Sequence, residues 1–164
     1  MDDYPPSFLN RLTDPELPDN RCRYSLSQTE TSVMRDLEEL LNTKRPREGF
    51  FAGLAEVEHS IANFGLRDIT HVNGNSADER HRFAAHVREV IESFEPRLTN
   101  VNVSVRHLDE VKAELAQGFK LGAIYFRIRA TLNVDPTPVE GVVFDTVLNL
   151  ASGHHDVRLP GAAT

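Results

Sequence analysis

Seven histidines, one cysteine and 25 acidic residues are the side chains from which this 164-residue chain would have to build chemistry. Two metal ligands sharing a helix face want a spacing of three or four residues. His81 and His86 lie five apart, and the adjacent His154 and His155 would point to opposite faces of a strand. His59, His71 and His107 fall in separate stretches, so no metal site is expected. Cys22 sits alone in a polar, proline-rich lead-in, which fits a reducing compartment and lacks the context of a catalytic thiol. Neither a G-x-S-x-G elbow nor a phosphate-cradling glycine loop occurs, so no cofactor is expected.

Paired carboxylates are the remaining route to catalysis, because a glycosidase needs two facing acids. Glu95 is the obvious acid, with Glu92 or Asp145 as its partner. Arg97, two residues along, would favour ionised Glu95, whereas an acid catalyst needs its proton held. A lysozyme-like peptidoglycan hydrolase is therefore the runner-up reading, and a generic adaptor is a third.

More distinctive is the run Phe94-Glu95-Pro96-Arg97-Leu98. Proline fixes the turn, the flanking Phe and Leu anchor it, and Glu95 and Arg97 are held in a defined orientation. Two readings stand side by side. The charges pair internally and cement a corner, or they are presented to a protein partner, where arginine donates bidentate hydrogen bonds.

The elements around that run follow from periodicity. Val33, Met34, Leu37, Leu40 and Leu41 recur at helical spacing and predict a helix over 29–42, with Asn42 as its C-terminal cap. A shorter helix is expected over 54–63, with Val57, Ile61 and Phe64 on its apolar face. Then His71 to Asn75 reads as loop. Ser76 and Glu79 have capping-box spacing, and Phe83, Val87, Val90, Ile91 and Phe94 predict a helix over 77–94 that Pro96 ends.

Beyond Pro96 the period changes to two. Val101, Val103 and Val105 mark one strand; Ile124 to Leu132 mark a second with Arg127 and Arg129 on its outer face. Val142 to Leu150 mark a third, and His155 to Leu159 a short fourth. Helices first and strands afterwards give an α+β class: N-terminal helices packed on one face of a small, mainly antiparallel C-terminal sheet. An open edge of the 122–150 sheet is expected to accept a partner strand, with Arg127 and Arg129 discouraging indiscriminate pairing.

The length fits one domain over 28–160, preceded by a proline-rich arm over 1–27. Within that arm, Phe8 to Leu12 is an amphipathic island that docks on the core or packs on a partner. A formal charge of −7, with 26% charged residues, argues against a nucleic-acid footprint. No stretch approaches a membrane span, and the first residues lack a signal peptide's pattern, so the cytoplasm is the expectation.

The segments Val33 to Arg45, Ser60 to Leu66 and Phe94 to Leu98 resemble, in order and spacing, the motifs of the TssE family. That family belongs to type VI secretion baseplates and is related to the baseplate proteins of contractile phage tails. Phe64-Gly65 stands where the family usually has Tyr-Gly. The resemblance implies a non-enzymatic subunit joining the wedge core of TssF and TssG to the sheath of TssB and TssC, helping sheath assembly to start. It also implies a cytoplasmic position at an apparatus docked on the inner membrane. Glu95, Pro96 and Arg97 carry over as the wedge-contacting residues.

Overall fold

A computed structural model describes residues 25–46, 53–58, 60–67, 74, 76–114, 122–134 and 137–160. The arm with Cys22 and the Phe8 island, His59, His71 and most of the 71–75 loop lie outside the described residues.

Helix α1 runs Leu26–Asn42, three residues earlier than its apolar stripe alone suggests. The reason is a capping box at Ser25: its Oγ accepts from Gln28 N, and Gln28 Oε1 accepts from Ser25 N. Its C-terminal cap is the extended Thr43, not Asn42, which stays helical and bonds the main chain of His155 with its side chain. Just beyond, Lys44 forms an isolated parallel bridge with Leu66. Gly65 permits that approach, since a Cβ there would lie 2.3 Å from Thr43 O.

The expected helix over 54–63 breaks in two. α2 covers only Ala55–Glu58, and a 3-10 turn follows at Ile61–Asn63. Ser60 causes the break by capping the second piece: its Oγ accepts from Ala62 N. The restart turns Ile61 outwards, so it is 87% exposed rather than part of an apolar face. Phe64 still reaches the core and meets Phe94 edge-on at 5.6 Å.

α3 spans Ala77–Phe94, with Ser76 Oγ accepting from Glu79 N. Phe83, Val87, Val90 and Ile91 are buried as the stripe requires. Strand β1 is Leu98–Val105, bulged between Thr99 and Asn102 where Asn100 takes φ 51°. A short helix α4, Leu108–Glu114, then appears where no element was expected. Only Leu108 and Val111 mark it, too few for a period to show.

β2 (Ala123–Leu132), β3 (Val139–Asn149) and β4 (His154–Arg158) complete a four-stranded antiparallel sheet of order β1-β2-β3-β4. β3 starts earlier than its apolar alternation, and Gly141, at φ 77°, sits in the extension close to the register shift. The class is therefore α+β, as the sequence implied. One expectation fails: β2 and β3 are both interior, so the 122–150 hairpin has no open edge. Arg127 and Arg129 cannot guard an edge from an interior strand; the edges are β1 and β4.

α1 and α3 cover one face of the sheet. Ile124, Phe126, Ile128, Leu132, Phe144 and Leu148 meet Val33, Leu37, Val87 and Ile91 in one cluster. Burying this much apolar surface is the main stabilising term. Among the described residues no helix is long and apolar enough to cross a membrane.

Candidate functional site: the α3–β1 corner

Glu95 to Leu98 is a four-residue turn closed by Leu98 N donating to Glu95 O at 3.0 Å, with Pro96 at the position that favours a fixed φ. Both flanks are tied down. Glu95 N donates to Ile91 O at the end of α3, and Asn133 N donates to Arg97 O beyond β2. Proline and the two anchors therefore leave Arg97 little freedom in where its side chain begins.

That side chain lies against two carboxylates. Arg97 Nε donates to Glu95 Oε1 at 2.7 Å and Nη2 to Glu95 Oε2 at 2.6 Å, a bidentate fork. Nη2 also bonds Asp36 Oδ2 of α1. The Glu95 side chain is 7% exposed, those of Arg97 and Asp36 26% and 22%. Burial opposes the guanidinium's charge, yet hydrogen bonds and charge from Glu95 and then Asp36 leave its pKa above the ordinary value. Both readings of the corner thus receive a geometry. Glu95 is inside and occupied, whereas Pro96 is exposed and the bonds of Arg97 to both carboxylates run through Nε and Nη2.

Asp36 is the residue that sequence reasoning missed at this corner. It stands in the Arg35-Asp36-Leu37-Glu38 run, 61 residues from Arg97, and only the packing of α1 against the sheet brings them together. Its signal was weak: a part-exposed acid on a helix is ordinarily solvated.

The carboxylates proposed for hydrolysis are each held by a different arginine. Glu95 is bound by Arg97, Asp145 by Arg127 at 2.7 and 2.8 Å, and Glu92 lies 3.9 Å from Arg88. Among the described residues the histidines do not converge, and no group of His, Cys, Asp and Glu could hold a metal ion. His154 is exposed while His155 is fully buried, with its ring stacked on Phe83 at 6.0 Å. Burial, and then the charge of His154, lower the His155 pKa to about 4.

On the sheet's other face the side chains run in register. Ser104, Arg127, Asp145 and Arg158 lie opposite one another across four strands. Glu114 of α4 reaches both Arg106, at 2.7 Å, and Arg127, at 3.6 Å.

Such an arrangement defines an α+β domain with a hydrogen-bonded turn clasped to the first helix and its charged groups joined to one another. The chain belongs to the family of baseplate wedge protein gp25, whose family model matches residues 27–137. That membership makes it a structural component of a baseplate. No curated protein matches its sequence. A chain of the solved baseplate complex from the type VI secretion system aligns at 22% identity, covering 66% of this chain and 77% of that one, with a TM-score of 0.44. Family membership does not depend on that alignment.

Proposed function

We propose that this chain is the TssE-type subunit of a type VI secretion baseplate. In this reading it joins the wedge core, TssF and TssG, to the sheath of TssB and TssC, and helps sheath assembly to begin in the cytoplasm. The observation that carries the reading is the family match across 27–137, which takes in the corner and its helix. The ordered TssE-like motifs support the finer assignment, since Asp36 of the first and Arg97 of the third meet in one cluster.

Within the domain over 28–160, Glu95, Pro96 and Arg97 form the wedge contact. In this reading their parts are unequal. Glu95 holds the guanidinium from inside, while Arg97 is half-buried and Pro96 exposed on a turn closed by the Leu98 N–Glu95 O bond. Lysine in place of Arg97 keeps one charge for Glu95 but loses the planar fork and its spare Nη1 donor.

Co-purification with TssF and TssG tests the reading. Arg97→Lys should abolish capture while the thermal midpoint stays within a few degrees, and Arg127→Lys on the outer face should leave capture unchanged. Undiminished capture by Arg97→Lys would remove the corner from the interface. Failure of the unaltered chain to bind either protein would end the assignment.

A further inference from the structure

At the other end of α3 from the corner, a cleft of about 480 Å³ opens between the start of that helix, the junction of β1 with α4, and the start of β2. That volume lies in the range of ligand pockets. Its charged lining consists of Arg80, Arg106 and Lys112 against one acid, Asp109, with His81 and His107 beside them. In a chain of formal charge −7, a wall so weighted towards bases runs against the whole.

The bases are not equivalent. Arg106 is already matched: its side chain is 8% exposed, lies 2.7 Å from Glu114 and faces Asp145 at 3.7 Å. Arg80 is half-buried, and its Nη1 donates to Gly74 O at 2.7 Å. That bond fixes the guanidinium on the wall, yet a carbonyl oxygen brings no counter-charge. Among the described residues no carboxylate pairs with Arg80. A charge partly withdrawn from water and left without its opposite attracts an anion more strongly than a solvated one does. His81 and His107 are exposed, and each can offer an N–H. Apolar groups complete the wall, with Ile124 buried and Leu108 49% exposed.

A bare anion would meet Arg80 and leave Leu108 in water. A carboxylate carried next to an apolar side chain meets both. We propose that this cleft is a second docking site, which takes a segment of another protein in which acidic residues flank an apolar one. The carboxylate bonds Arg80, and the apolar side chain covers Leu108. From Arg80 to Phe94 the helix advances about 21 Å, so the cleft is separate from the Glu95–Arg97 corner. A subunit with a site at each end of one helix holds two neighbours at once. The cleft's chemistry does not depend on the type VI assignment.

Titration of the full chain with acetyl-Asp-Leu-Glu-amide, followed by backbone amide NMR shifts, tests the site. Shifts should centre on Arg80, His81, His107 and Leu108. The uncharged acetyl-Asn-Leu-Gln-amide should bind about tenfold more weakly or worse, and Arg80→Gln should impose the same loss on the acidic peptide. Leu108→Glu, at a half-exposed position that folding does not need, should repel the acidic peptide and weaken it by a similar factor. Arg88→Gln, on the exposed side of the same helix, should change nothing. No shift with the acidic peptide, equal binding of the two peptides, shifts centred on the corner, or binding indifferent to both Arg80→Gln and Leu108→Glu overturns the proposal. Inorganic phosphate that moves the same amides with equal affinity overturns the choice of a peptide, because Leu108 would then contribute nothing.

Discussion

At the rim of the helix-covered face of the sheet, Arg97 is gripped by Glu95 and Asp36. On the outer face, Arg127 is gripped by Asp145 and approached by Glu114, in the open middle of the sheet. The first is one arginine between two carboxylates; the second sets two arginines against two carboxylates, since Arg106 also lies 2.7 Å from Glu114 and 3.7 Å from Asp145. The first joins elements distant in sequence and shields a nearly buried Glu95; the second joins neighbouring strands already held by ladder hydrogen bonds. An arginine–carboxylate fork is therefore structural in one place and close to redundant in the other, where Arg106 stands by as a second counter-charge. What decides is the cost of leaving a carboxylate without its counter-charge.

That contrast can be broken by removing each arginine. Arg97→Ala leaves Glu95 buried and unpaired, and should cost about 3 kcal/mol of unfolding free energy, read from denaturant midpoints. A loss below about 1 kcal/mol would place both clusters in the same class.

Acid probes the helix-covered face differently. His155 is neutral and fully buried there, and neither ring nitrogen has a hydrogen-bond partner among the described residues. Between pH 6.5 and about 4 the unfolded chain binds a proton at this position that the folded chain refuses. Stability contributed by neutral His155 is thus full above pH 6.5, falls as pH drops through that window and levels off below about 4. The loss should approach about 3 kcal/mol. His155→Leu should flatten this part of the pH–stability curve, as measured by thermal unfolding.

Arg127→Ala, on the outer face, should cost only about 1 kcal/mol, and 1 M salt should shrink that difference further. The smallest effect is expected at Ile61, which is 87% exposed on its 3-10 turn. Ile61→Ser should change the thermal midpoint by about a degree or less, corresponding to less than about 0.5 kcal/mol.

Much of this architecture was readable from periodicity, because α3 and the strands bury one face each. Phe83 to Phe94 and Ile124 to Leu132 show it plainly. The breaks were harder. Ser60 restarts the chain within a run whose apolar spacing still suits a helix, so Ile61 was assigned inwards and lies outwards. Ser25 and Gln28 carry a start signal in which Gln replaces the more familiar Glu, and the apolar stripe began later. Strand order was not legible, since alternation marks a strand without naming its neighbours. At the corner, Glu95 to Arg97 could be found from Pro96 and local spacing. Asp36 and Asn42 could not, because their partners lie 61 and 113 residues away.

The same separation bears on how the protein is made. The first helix leaves the ribosome 113 residues before His155, the residue that Asn42 must grip. At about 5–20 residues per second, that is a wait of roughly 6 to 23 s. Throughout it, Val33, Leu37, Leu40 and Leu41 have no finished sheet to cover them. Nascent chains halted before β4 should be the ones that chaperones hold, and release should coincide with emergence of the last strand.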